Sequence, residues 1–222
     1  MNTIKVSYDI REENRRLSED LSVRFGAAGV RAIGLVGSPG SGKTTLLEYL
    51  LPRLSRTRRV AVIEGDVATD NDARRIRATG VDAVEINTLG ACHLDSAMIE
   101  KALCSLKLNA YDMLVIENVG NLVCPVAFPL GESLRLAVIS AAEGEDKPQK
   151  YPAAILNTNA VIITKTDIAP YVRCDPARMA YYAKEINPAT RVFFCGMDHD
   201  GLYTCRSADG EDAQSLEELL LG

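Results

Sequence analysis

The chain has 222 residues, 47% of them hydrophobic and 25% charged, with no Trp and a formal net charge of −5. That length can bury a core without disulfides or structural metals, and the composition excludes disordered and fibrous classes. The acidic balance argues against nucleic acid as a partner, because phosphate affinity comes from clustered Lys and Arg, and the groups Arg56, Arg58, Arg59 and Arg74, Arg75, Arg77 read as solvated faces.

The start, MNTIKVSYDIREENRRL, lacks a signal-peptide apolar core, and no stretch approaches the roughly 20 apolar residues of a membrane span. The expectation is a cytoplasmic protein with no membrane partner. In that reducing compartment the six cysteines are poor disulfide candidates. From Asp9 to about Ala28 a charged helical pattern brings Ile10, Leu17, Leu21 and Phe25 near one face, closed by Gly26 and Gly29. It predicts an N-terminal amphipathic helix, an extension over residues 1–30 ahead of a domain over residues 31–222.

Short Val- and Ile-rich runs follow at Ala32–Val36, Val60–Glu64, Ala83–Ile86, Met113–Glu117, Leu134–Ser140, Ala160–Thr164 and Arg191–Phe194. They read as strands buried on both faces. Between them lie helical patterns at Thr44–Leu54, Asp70–Thr79, Leu94–Leu106, Asp175–Ile186 and Gln214–Leu221. Repeated βαβ units of this kind make a mostly parallel twisted sheet between helix layers, an α/β fold. Ligands of such sheets bind at the carboxyl ends of the strands. Glu143–Pro152 and Met197–Asp212 read as mobile loops.

After the first strand comes Gly37-Ser38-Pro39-Gly40-Ser41-Gly42-Lys43-Thr44, a full GxxxxGK[ST] phosphate loop, followed by Thr45 in a helix. Its glycines let backbone N–H groups turn toward phosphate oxygens, the helix N-terminus adds positive potential, Lys43 neutralises the terminal phosphates, and Thr44 offers a hydroxyl to Mg²⁺. A plain Gly-rich turn would need neither the Lys-Thr pair nor the strand before it. The Mg²⁺ shell needs an acid as well. Glu117 ends the strand Met113–Ile116, and Gly120 would let backbone approach the terminal phosphate. Asp66, after Val60–Glu64, is the other candidate, with a helix cap as its alternative role.

Strand Ala160–Ile163 runs into Thr164-Lys165-Thr166-Asp167, which resembles the [NT]KxD element of GTPases. There a carboxylate accepts two N–H donors of guanine, a pattern adenine lacks. Thr164 stands where Asn is usual and offers one hydroxyl donor rather than an amide. Cys195-Gly196-Met197 departs from the Ser-Ala-Lys form of the last base-contacting loop, so no side-chain role falls there.

Two further strand-end loops carry Cys92-His93 and Cys124. Parallel strands end on one sheet edge, so these loops can meet, and thiolate and imidazole suit Zn²⁺ or Ni²⁺ with one position left open. Against this, isolated Cys residues are commonly small buried apolar groups. Cys104 reads as core, and Cys174, Cys195, Cys205 and His199 are candidates for an additional patch.

The ordered blocks GSPGSGKTTL, EGDVATDNDARRI, INTLGACHLD, ENVGNLVCP, EGEDKPQKYP and TKTDIAPY resemble the HypB-type hydrogenase nickel-incorporation GTPases. The resemblance implies a P-loop NTPase fold of the SIMIBI kind and a homodimer that hydrolyses GTP to GDP slowly. It also implies that Cys92, His93 and Cys124 bind nickel or zinc near the subunit interface, with accessory maturation proteins and the hydrogenase large subunit as partners. The chain departs from the pattern at Leu89, Pro129 and Thr164, and lacks the N-terminal cysteine motif and His-rich tract of some members. The alternatives are a urease-type nickel metallochaperone GTPase, whose Cys-Pro-His lacks a match at Cys92-His93, a P-loop small-molecule kinase, and a noncatalytic metal-binding protein. The segment Glu117–Cys124 joins phosphate sensing to a thiolate and is expected to couple nucleotide state to metal affinity.

Overall fold

Apolar residues on both faces are what a parallel strand between helix layers needs, and all the expected runs form one. In the computed structural model, which describes residues 6–67, 71–210 and 213–222, they are β1 (Arg31–Gly37), β2 (Val60–Asp66), β3 (Asp82–Asn87), β4 (Met113–Glu117), β5 (Leu134–Ser140), β6 (Ala160–Thr164) and β7 (Arg191–Met197). An eighth strand, β8 (Tyr203–Ser207), completes the sheet, ordered β3-β2-β4-β1-β5-β6-β7-β8. The pairs from β3 to β7 are parallel, and β8 runs antiparallel to β7.

The helices are α1 (Val6–Ala27), α2 (Lys43–Leu54), α3 (Asn71–Ala78), α4 (Ser96–Leu103), the short α5 (Lys147–Lys150) and α6 (Pro152–Leu156), α7 (Pro176–Ile186) and α8 (Leu216–Leu221). Side chains alternate across a strand. One face of the sheet, Val60, Val62, Val115, Leu136 and Ile162 among them, therefore packs under α2, α3 and α8. The opposite face meets α1 and α4 on one side and α6 and α7 on the other. Within α2, Leu46, Leu47, Leu50 and Leu51 are each 1% exposed or less, and four such burials at about 1.5–3 kcal/mol each outweigh the roughly 3 kcal/mol that an interior proline such as Pro52 costs.

Several expectations need correction. Met197–Asp212 is not a loop throughout: its middle is β8, whose burial alternates and so offers no continuous apolar run. Residues 211–212 lie outside the described part. Cys195 stands opposite Cys205 in the β7–β8 register, and the two form a disulfide, contrary to the expectation for a reducing compartment. Glu143–Pro152 forms helical turns, because Ser140 and Glu143 make a capping box, Lys147 pairs with Glu143 at 3.1 Å, and Pro148 is buried.

Along α1, among the residues whose side chains are described, Asn14, Ser18, Leu21 and Phe25 are buried, whereas Ile10, one turn before Asn14, is 51% exposed. Asn14 fastens the helix, donating to the Pro129 carbonyl at 2.9 Å and accepting from the Ser96 amide at 2.7 Å. Cys104, assigned to the core, is exposed at the end of α4. No described helix is long and apolar enough to cross a membrane.

Candidate nucleotide and metal site

The carboxyl edge of the sheet gathers the phosphate loop, the base loop and the two metal loops. Gly42 caps α2 at φ 91°, a left-handed conformation that suits glycine, so the loop can turn its amides inward before Lys43 and Thr44 begin the helix. Thr44 Oγ1 donates to Glu117 Oε1 at 2.9 Å, joining α2 to the end of β4. Lys43, Thr44 and Glu117 are all buried. Ser41 Oγ, Glu64 Oε2 and Glu117 Oε2 are buried without a hydrogen-bond partner. Unpartnered oxygens around a phosphate loop fit a Mg²⁺-nucleotide, which Thr44 and Glu117 would hold.

Thr45 is turned elsewhere: its hydroxyl accepts from Arg75 at 3.0 Å, and Arg75 also binds Glu48 at 2.6 Å. Asp66 ends β2, its Oδ1 accepting from the Val67 amide at 2.6 Å. Residues 68–70, between it and α3, lie outside the described part, so the helix-capping alternative for Asp66 does too. Gly120 lies against the phosphate loop, where a Cβ would come within 2.9 Å of Pro39 Cα. Gly37 bridges to Asn121.

The base loop is tied to the phosphate loop. Lys165 Nζ donates to the Gly40 carbonyl at 2.8 Å. The Thr164 hydroxyl, a candidate base donor, donates instead to the Ser41 carbonyl at 2.5 Å, with the Ile139 carbonyl at 3.2 Å. Asp167 is exposed and accepts from the Met197 amide at 3.2 Å. It lines a cavity of about 650 Å³ with Thr166, Gly196, Met197, Thr204 and Arg206.

Cys92, His93 and Cys124 come together, with one donor atom of each within 4.8 Å of the others, and are the one such group of three among the described residues. Two asparagines set their loops. Asn118 Oδ1 accepts from the Leu94 amide at 2.9 Å. Asn121 donates to the Cys92 carbonyl at 3.2 Å and accepts from the Val123 and Cys124 amides. His93 stacks on Phe128 with centroids 4.0 Å apart. A hydrogen bond with Cys124, then burial, raises the Cys92 thiol pKa, and burial lowers that of His93 against the pull of Asp95. A neutral imidazole is the ligand form. The other patch does not assemble: Cys174 is buried with its sulfur 3.4 Å from that of Met179, and the His199 side chain is 89% exposed.

Glu64 opens the block EGDVATDNDARRI, but there Asp66 is the candidate acid and Glu64 reads as the end of an apolar strand. A second signal is a carboxylate where Val60 and Val62 predict another apolar side chain. Burial, then the Glu117 carboxylate, pushes Glu64 up to about 8. Burial raises Glu117 to about 7, opposed by Lys43 and by the bond from Thr44. Both lie above the ordinary 4.5, so between that value and the folded pKa the folded state holds protons that the unfolded state has released. The stability that these two groups contribute is therefore full below about pH 4.5 and lost as pH rises toward 8, by up to about 1.4 kcal/mol per pH unit and proton. Urea denaturation of the nucleotide-free protein should give a lower midpoint at pH 8 than at pH 6, and Glu64→Gln should flatten the profile. A flat or rising wild-type profile would contradict this.

Residues 31–194 match the family described as CobW/HypB/UreG, nucleotide-binding domain. The hydrogenase maturation factor HypB of Escherichia coli K12 is 47% identical over 189 residues, covering 85% of this chain and 65% of that protein. Across five such curated relatives the chain spans 62–65% of their length. Among solved structures, hydrogenase maturation factor HypB from Archaeoglobus fulgidus has a TM-score of 0.78 at 37% identity, covering 83% of this chain and 90% of that one. HypB from Helicobacter pylori, in complex with nickel, has a TM-score of 0.78 at 36% identity, covering 83% and 86%.

Proposed function

This chain belongs to the CobW/HypB/UreG family, in its HypB branch, and from that premise we propose that it is a GTPase whose cycle drives nickel delivery during maturation of a nickel-containing hydrogenase. The observation that carries the reading is the short path from Glu117, bonded to Thr44, through Gly120 and Asn121 to Cys124 in the Cys92–His93–Cys124 group. A small-molecule kinase has no use for that connection.

In this reading the loop amides and Lys43 hold the β- and γ-phosphates, Thr44 and Glu117 orient the Mg²⁺ waters, and Asp66 or Glu117 positions the attacking water. Mg²⁺ supplies neutralisation of the charge that develops on the phosphate oxygens. Asp167 takes the two N–H donors of guanine, while Thr164 and Lys165 hold its loop against the phosphate loop. Nickel is the cargo, and Zn²⁺ suits the same ligands. We take the setting to be the cytoplasm and the partners to be a second copy of the chain, accessory maturation proteins and the hydrogenase large subunit.

The test is side-by-side titration with GTP and ATP. Wild type is expected to prefer GTP by at least about a hundredfold, since a site built around specific hydrogen bonds rejects the analogue that lacks them. Asp167→Ala should bring the two affinities together. Equal affinities in the wild type would refute the base-site assignment.

A further inference from the structure

The side chains of β2 that face α2 run Val60, Val62, Glu64, and those of β4 run Met113, Val115, Glu117. The register places Glu64 beside Glu117, and Glu85 of β3 beside Glu64. Register neighbours in a parallel pair project to the same face. Two apolar rows thus end side by side in carboxylates. Both residues are 2% exposed, and each keeps one carboxylate oxygen without a protein partner. The charges acting most strongly on Glu64 are other acids, Glu117, Asp66, Asp72 and Glu85. Burying an acid among acids is unfavourable unless a cation joins them. A third valine would continue the row without that penalty, so packing alone does not account for Glu64.

We propose that Glu64 is a second carboxylate of the Mg²⁺-nucleotide site, holding with Glu117 the water shell of the cation that Thr44 carries. This rests on the reading that the phosphate loop takes a Mg²⁺-nucleotide. Mg²⁺ keeps several waters and is commonly held by one or two carboxylates together with the phosphates. Glu64 and Glu117 supply the two, and Thr44 Oγ1, already bonded to Glu117, links them to the phosphate loop. Glu64 is a positioning residue: it acts through the cation's waters and not on the reacting phosphorus.

The experiment titrates fluorescently labelled GDP into wild type, Glu64→Gln and Glu64→Met over Mg²⁺ concentrations from excess EDTA to millimolar, with thermal melts alongside. In EDTA all three are expected to bind GDP alike within about twofold, and to melt with both variants no lower than wild type, because each removes a buried ionisable group from among other acids. The Mg²⁺ concentration that half-restores tight binding should rise by about 10–100-fold in both variants, the usual loss when an outer metal partner is removed. An unchanged Mg²⁺ midpoint in Glu64→Gln, alongside a shifted one in Glu117→Gln, would overturn the proposal. Variants that melt lower with the Mg²⁺ midpoint unmoved would also overturn it, by showing a purely structural role. If wild-type GDP binding ignores Mg²⁺ altogether, the nucleotide-site reading itself fails, and that result is distinguishable from the other two.

Discussion

Lys43→Ala is expected to lower kcat for GTP hydrolysis by at least about 10²-fold, the loss typical of removing one preorganised group that stabilises developing negative charge. Lys43 is 7% exposed, opens α2 behind Gly42, and forms no ion pair with an acid among the described residues. Its charge acts on Glu117 but is not consumed by a close partner, so it remains free for the terminal phosphates. The expected split separates it from Asp167: Lys43→Ala should hydrolyse neither GTP nor ATP yet keep guanine over adenine in binding, whereas Asp167→Ala should lose the preference. Release of phosphate and binding of labelled nucleotides measure the two halves. Hydrolysis by Lys43→Ala within about tenfold of wild type would contradict the role.

The second large effect concerns the thiol–imidazole group. Joint replacement of Cys92, His93 and Cys124 by alanine is expected to weaken Ni²⁺ and Zn²⁺ binding by more than the about 10–100-fold that loss of an outer partner costs, because it removes every donor of the group. The same titration on wild type without nucleotide, with GDP and with a nonhydrolysable GTP analogue tests the coupling through Glu117–Cys124. Allosteric coupling of 1–3 kcal/mol corresponds to about 5–150-fold between states, and by linkage the metal must change nucleotide affinity by the same factor. Unchanged metal affinity in the triple variant would remove the metal site. Equal affinities in all three nucleotide states would remove the coupling alone.

Local pattern carried most of the fold. Strands such as β2 and β5 are apolar on both faces and bounded by polar turns, and the phosphate loop announces itself by spacing. What stayed hidden depended on pairings between distant residues. β8 has no apolar run and becomes a strand by pairing with β7, and the face of α1 was misjudged at Ile10 because Asn14 and Ser18 are buried in its place. Glu64 gained its meaning only from the register that sets β2 against β4. The convergence of Cys92, His93 and Cys124 was foreseeable from strand ends sharing an edge. The asparagines that hold the loops were not, since Asn118 and Asn121 look like ordinary turn residues until their partners are known.

The Cys92 sulfur lies 3.5 Å from His93 Nδ1 with its thiol pKa raised, which bears on what loading an ion would do to the field around the site. A thiol that keeps its proton in the empty pocket must surrender it before its sulfur can coordinate. Where both thiols do so, two protons leave as one divalent ion enters, and the local charge is the same before and after. Under the proposed coupling, the Glu117–Cys124 segment would then sense a bound ion through the shape that coordination imposes on Cys124, with no net change of local charge acting on the phosphate loop. Release would run the exchange backward, so acidification is expected to favour the empty pocket by supplying protons to the departing sulfurs.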